Sequence, residues 1–364
     1  MPSHPYAGLP ARSFWRTAVA EPDPLDITDL WTPKFTVGPD DPVITAGSCF
    51  AAHIGRALLD QGMHWYDAEP PPPGLTRAEQ SARGYRRFSF RTGNIYSAAA
   101  LYQWVAWALG ETAPPEEVWE HDGAWYDPWR PAVEPAGFAT PEDLLRSREV
   151  TLAAVRTALT RADVLVFTLG LTEVWYDEET GTALPVCPGT LRGTFDPARH
   201  VLRRHTVADV HRDLTRTLAL ARRANPRLRI VLTVSPVPLT ATATGRHVLV
   251  ATSHSKSVLR AAAGQLADDD GDVDYFPSYE IVTGFPYRAA FYEPNLRGVT
   301  PEGVRFVMTH FFRALQPHPE APAPATPTPP ATTTATATAT AGEEHWCDDA
   351  VLDYYNPRPL PPAR

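Results

Sequence analysis

Two hydrophobic periods alternate along the chain. Short, mostly apolar runs at Val43–Ala46, Asp163–Leu169, Arg229–Val234 and Val273–Phe276 predict buried strands. Between them, apolar residues recur every three or four positions. Phe50–Gln61 places Ile54, Ala57 and Leu58 on one face, with Arg56 and Asp60 off it. Thr206–Arg223 does the same with Val207, Val210, Leu214, Leu218 and Ala221. Ser97–Leu109, Leu144–Arg161, His254–Leu266 and Pro301–Leu315 complete the predicted helices, the last with proline at its first position. Strands alternating with helices imply an α/β fold with a mainly parallel sheet. Such sheets bind ligands beyond the carboxyl ends of their strands. Gly47-Ser48-Cys49, Gly170-Leu171-Thr172-Glu173 and Ser235-Pro236 all stand at such ends and should converge on one crevice.

Other stretches lack a period. Residues 1–40 are proline-rich and read as an arm wrapping the core, anchored by Phe14, Trp15, Leu30, Trp31 and Phe35. Residues 67–92, with the run Pro70–Pro73, read as a long loop, 110–145 as an insertion, and 176–205 as an irregular excursion. The main domain spans 41–316. Residues 317–342 are almost wholly Pro, Ala and Thr, a composition that cannot form a core and reads as a linker. The tail 343–364 is acidic and aromatic and could dock on the core or meet a partner.

Composition narrows the function. Of 364 residues, 43% are hydrophobic and the net charge is −9, which argues against binding a nucleic-acid backbone. Arginines cluster locally, at Arg83, Arg86 and Arg87 and at Arg199, Arg203 and Arg204, and read as solvated faces or as a pocket for an anionic substrate. Cys49, Cys187 and Cys347 form neither a disulfide framework nor a metal-ligand spacing. The start of the chain has no apolar signal-type segment, and no run approaches a membrane span, so the expectation is a cytoplasmic protein without a membrane partner.

The stretch Val43-Ile-Thr-Ala-Gly-Ser-Cys-Phe-Ala51 carries the candidate chemistry. It reads as a buried strand, a glycine turn and the first turn of a helix. A cysteine there gains thiolate character from unpaired N–H groups and the helix dipole. The same N–H groups could hold an oxyanion. Gly47-Ser48-Cys49-Phe50-Ala51 is the signature that names the GSCFA family. Phe14-Trp15-Arg16-Thr17, Gly93-Asn94, Gly170-Leu171-Thr172-Glu173-Val174-Trp175, Ser235-Pro236-Val237-Pro238-Leu239, Ser255-Lys256-Ser257-Val258-Leu259-Arg260 and Tyr275-Phe276-Pro277-Ser278-Tyr279-Glu280 extend the resemblance over roughly residues 12–315.

The resemblance implies an SGNH- or flavodoxin-like three-layer α/β/α fold and hydrolase-type chemistry. Laid on the SGNH Gly-Asp-Ser block, Cys49 takes the nucleophile's place and Ser48 the aspartate's. Gly93 matches the glycine whose N–H completes the oxyanion hole, with the Cys49 N–H beside it. Thr172 stands where SGNH enzymes carry an asparagine, and the Asn94 amide could serve instead. The Asp-x-x-His block is replaced by Asn295-Leu296-Arg297-Gly298. A substitute base is then needed: His53 lies one helical turn after Cys49, with His254 and His247 as weaker candidates. Glu173 could orient a histidine or act as a base if burial raises its pKa. Lys256 and Arg260, at i and i+4, read as an anion clamp or an exposed helix face. The expected function is acyl transfer, as an esterase, thioesterase or acyltransferase acting through a Cys nucleophile on a small molecule or carbohydrate, in carbohydrate or secondary-metabolite biosynthesis. Two alternatives stand beside it: a binding protein that has lost its catalytic set, and a coenzyme A-dependent acyltransferase whose arginines hold phosphates. No other cofactor and no metal is expected.

Overall fold

A computed structural model describes Tyr6 and residues 9–315. The linker and tail expectations for 317–364 lie outside the described residues. Four parallel strands, β1 (Val43–Gly47), β4 (Val164–Leu169), β8 (Arg229–Val234) and β9 (Val273–Tyr275), form the central sheet in the order β1-β4-β8-β9. The free edge of β1 is covered: Val43 N–H donates to His64 O (2.9 Å) and Tyr66 N–H donates to Val43 O (2.8 Å).

The alternation of side chains along each strand sends them to two separate cores. Ile44, Leu165, Phe167, Ile230 and Leu232 face one side, where they meet α3 (Ala98–Leu109), α4 (Pro141–Arg161), α5 (Val207–Ala224) and α6 (Val248–Asp269). Val43, Val164, Val166 and Val231 face the other, against α1 (Phe50–Asp60), α7 (Ser278–Thr283) and α8 (Pro301–Leu315). The result is the expected three-layer α/β/α fold with a mainly parallel sheet. Local signals set the helix ends: Ser97 caps α3 on the Ala100 N–H (3.1 Å), and Gly110 closes it in the left-handed region.

The irregular stretches differ from expectation in three ways. The excursion 176–205 belongs to a second, antiparallel sheet in which β5 (Glu173–Asp177) lies between β6 (Thr182–Leu184) and β7 (His200–Arg204). Its strands are short and its polar positions frequent, so no period-2 signal stands out. The loop 67–92 contains α2 (Arg77–Ala82), and the insertion 110–145 holds the hairpin β2 (Trp119–His121) and β3 (Ala124–Tyr126). Of the predicted arm anchors, Trp31 is buried between Phe276 and Phe311, and Phe35 packs against the same core. Phe14, Trp15 and Leu30 stay at the surface, Trp15 only stacking on Phe285. Among the described residues, no helix is long and apolar enough to cross a membrane.

Candidate active site

The ends of β1, β4 and β8 meet at one crevice. Gly47 ends β1 with φ +131°, and a Cβ there would lie 2.4 Å from Thr168 O, so only glycine lets β1 and β4 approach this closely. Ser48 N–H then donates to Thr168 O (2.9 Å), and Ser48 O accepts from Ala51 N–H (2.9 Å) as the chain turns into α1. Gly170 and Leu171, after β4, both donate their N–H to Tyr96 O. A Cβ on Gly170 would press on Tyr96 O at 3.0 Å and on the Ser48 Cβ at 3.2 Å. Ser235, after β8, donates its N–H to Leu169 O (2.8 Å). Ser48, Cys49, Ser235 and Arg297 give the crevice its polar groups, and Tyr96, Leu171, Val237 and Leu239 its apolar walls.

Both nucleophile candidates are therefore in the crevice, and both are buried. The Ser48 hydroxyl has no hydrogen-bond partner among the described residues. Cys49 occupies the N-cap position of the 11-residue helix α1. His53, expected as the substitute base, follows one turn along α1, half-buried, its ring 5.7 Å from that of Phe50, but it lines a groove between α1 and α8 and is not among the crevice-lining residues. Burial, with help from the charge of Arg87, pushes its pKa down to about 4, so the imidazole is neutral at neutral pH. Cys187 is not among the crevice-lining residues, and burial pushes its thiol up to about 11.

The other predicted residues divide. Gly93, at φ +67°, and the buried Asn94 line a neighbouring pocket with Arg87 and Arg130. That segment is held against the turn by Ile95 N–H donating to Gly47 O (2.8 Å). Thr172 is not among the crevice-lining residues. Its N–H (3.0 Å) and hydroxyl (3.1 Å) both donate to Ser255 Oγ on α6. Glu173 is also outside the crevice lining, and both its carboxylate oxygens lie 2.8 Å from the Thr242 hydroxyl. Burial raises its pKa, against the opposing pull of the Thr242 hydrogen bond and of Arg204, Arg246 and His254. His254 is exposed, and His247 caps α6 by accepting from the Leu249 N–H.

Three groups play parts that sequence patterns did not reveal. Lys256 is neither an exposed residue nor half of an anion clamp: it is 1% exposed and donates from Nζ to Gly170 O at 2.7 Å, holding the β4 turn from α6. Its i+4 partner Arg260 pairs with Glu280 and lies over the Tyr275 ring. Arg297 enters the crevice although it stands inside the altered Asp-x-x-His block. A Cβ on Gly298 would meet Glu293 Oε2 at 2.1 Å, so the Glu293 carboxylate fills the space a side chain at 298 would take. Three of the six arginines expected as solvated faces or phosphate ligands carry ion pairs: Arg199 with Asp177, Glu117 and Glu179, Arg203 with Glu178, and Arg83 with Glu134. Among the described residues, no group of His, Cys, Asp and Glu is arranged to hold a metal ion.

A parallel sheet whose first strand ends in Gly-Ser-Cys, with the second and third strand ends closing on that turn, makes this a three-layer α/β protein with a crevice at its strand ends. The GSCFA family model matches residues 42–311, and the chain belongs to that family. No curated protein matches it. A solved structure described as a GDSL-like lipase from Parabacteroides merdae is similar at 16% identity, over 47% of this chain and 67% of that one, with a TM-score of 0.29.

Proposed function

We propose that this protein hydrolyses or transfers an acyl group held as an ester or thioester, with Cys49 as nucleophile. The observation that carries the reading is that Ser48 and Cys49 share one crevice under unequal conditions. A serine hydroxyl needs a base to attack at neutral pH, and the Ser48 hydroxyl hydrogen-bonds to none among the described residues. A thiol at the start of a helix needs less help, because the first-turn N–H groups favour its thiolate. In this scheme the Cys49 thiol gives its proton to solvent and its sulfur attacks the acyl carbon as a thiolate. The carbonyl oxygen, now negative, is held by N–H groups of the first turn of α1. The carbon–oxygen or carbon–sulfur bond of the substrate breaks, and the departing group takes a proton from solvent. Water or an acceptor alcohol then cleaves the acyl-cysteine and frees the thiol.

Intact-mass spectrometry after incubation with acyl-thioester and acyl-ester probes tests this. A gain of one acyl group, mapped to Cys49, is expected; it persists in Ser48→Ala and vanishes in Cys49→Ala. An adduct that survives Cys49→Ala and maps to Ser48 overturns the choice of nucleophile. A second reading, a ligand-binding protein without catalysis, is favoured by one observation: Asn295 and Gly298 replace the Asp-x-x-His pair, and Glu293 fills the vacated space. Absence of any adduct and any turnover moves that reading to first place. A third, coenzyme A-dependent reading is weakened at Arg83, Arg199 and Arg203, where a phosphate would have to displace a paired carboxylate.

A further inference from the structure

Helices α1 and α8 lie side by side and leave between them a groove of about 590 Å³, within the size range of ligand pockets. It shares no lining residue with the crevice. Ala57, Val304, Met308 and Phe312 form its apolar floor. Arg56, Arg305 and Arg313 stand over it, against one lining carboxylate, Asp60. Arg56 pairs with Asp60 at 3.7 Å and Arg305 with Glu302 at 2.7 Å, all four side chains being mostly exposed. Pairs of this kind contribute little and exchange partners readily. The groove thus offers an apolar floor under a net positive rim.

One segment of the chain is its chemical complement. Residues 343–355 hold Glu343, Glu344, Asp348, Asp349 and Asp353, no Lys or Arg, and the apolar side chains Trp346, Val351, Leu352, Tyr354 and Tyr355. Helix α8 ends at Leu315, two residues past Arg313, so the chain leaves from one end of the groove. The 27 residues 316–342 can extend over at most roughly 90 Å. From Val304 to Arg313, α8 rises only about 14 Å. The spacer reaches every part of the groove, and tethering sets an effective concentration on the order of millimolar, so a weak contact suffices. We propose that the acidic-aromatic segment 343–355 docks in the groove between α1 and α8 of its own chain. The surface lies on α1, four residues beyond Cys49 at its nearest point, His53.

Disulfide trapping in the full chain tests this, using native Cys347 as the tail's reporter in a Cys49→Ala, Cys187→Ala background. Thr309→Cys places a thiol at an exposed groove position; Val150→Cys places one on the exposed face of α4, in the opposite helical layer. Under mild oxidation, the groove thiol should close on Cys347 within one chain at least about tenfold faster than the α4 thiol, given its higher effective concentration. Arg305→Glu with Arg313→Glu should slow the closure, and Asp348→Arg with Asp349→Arg should restore it. Equal closure rates at the two positions overturn the proposal. So does a disulfide that forms between chains, which gives the groove to a second copy, or a closure rate indifferent to charge reversal.

Discussion

Replacing Asp127 by asparagine is the sharpest test of what holds the insertion against the domain. Asp127, Arg130 and Arg148 are all at most 2% exposed. The Asp127 carboxylate accepts from Arg130 Nε (2.8 Å), from Arg148 Nε (3.0 Å) and from the Trp129 N–H (3.0 Å). Burial alone would raise its pKa, but Arg130 and Arg148 outweigh that and hold it below the ordinary carboxylate value. Arg148 goes on to Pro115 O and Glu117 O, and Arg130 to Thr151 of α4, which in turn donates to Glu69. Asp127→Asn keeps the shape and removes the charge, leaving two guanidinium groups in a dry site without a counter-ion. Breaking a buried pair in this way costs about 3–5 kcal/mol. At roughly 2–4 °C per kcal/mol, the melting temperature should fall by roughly 10 °C. Urea unfolding followed by circular dichroism measures the loss, with Asp60→Asn, at an exposed pair, as the control that should change by less than about 1 kcal/mol. A loss at Asp127 no larger than the control's would refute the claim that this carboxylate is indispensable to the buried arginines.

Gly47→Ala should destabilise by more than about 3 kcal/mol, because its Cβ meets backbone at 2.4 Å, whereas Gly62→Ala, at φ +70° in open space, should lose only about 1–2 kcal/mol; matching urea midpoints would contradict this. Iodoacetamide between pH 6 and 9 should modify Cys49 well before Cys187, whose thiol burial holds at about 11; equal labelling by peptide mass would count against a reactive Cys49. His53 has a folded pKa of about 4 against 6.5 when free, so the unfolded chain binds the extra proton first and stability should decline as pH falls from 6.5 to 4, by at most about 3 kcal/mol. His53→Gln should remove that slope. A further decline from pH 3.8 to 2 should remain, from Asp177: burial would raise its pKa, but hydrogen bonds from Arg199, Thr180 and the Glu179 N–H hold it at about 2.

Much of the frame was readable from periodicity. The four sheet strands, and the helices Phe50–Gln61 and Thr206–Arg223, carry their burial pattern in residues a few positions apart, and the structure places them within a residue or two of the expected bounds. The Gly47-Ser48-Cys49 turn was legible for the same reason: an apolar run, a glycine and a new helical period adjoin one another. Helix α6 was legible only in its second half. Its start, Val248–Ser253, is exposed at Leu249 and Val250, so no apolar face marks it.

What the sequence by itself determined is thus the order of the elements and the chemistry offered at each strand end. The tertiary structure decided which of those groups meet. Lys256 reads as a solvated helix residue until α6 is packed against the β4 turn, where the Gly170 carbonyl accepts from its ammonium. Arg199 reads as one of a basic cluster until β5 and β7 pair and bring it to Asp177, 22 positions away. Thr172 reads as an oxyanion donor until Ser255 takes its hydroxyl, 83 positions away. Periodicity reports only on neighbours along the chain. Ion pairs, buried hydrogen bonds and the space at Gly298 depend on contacts between distant segments, which exist only once the sheet has brought its strand ends together.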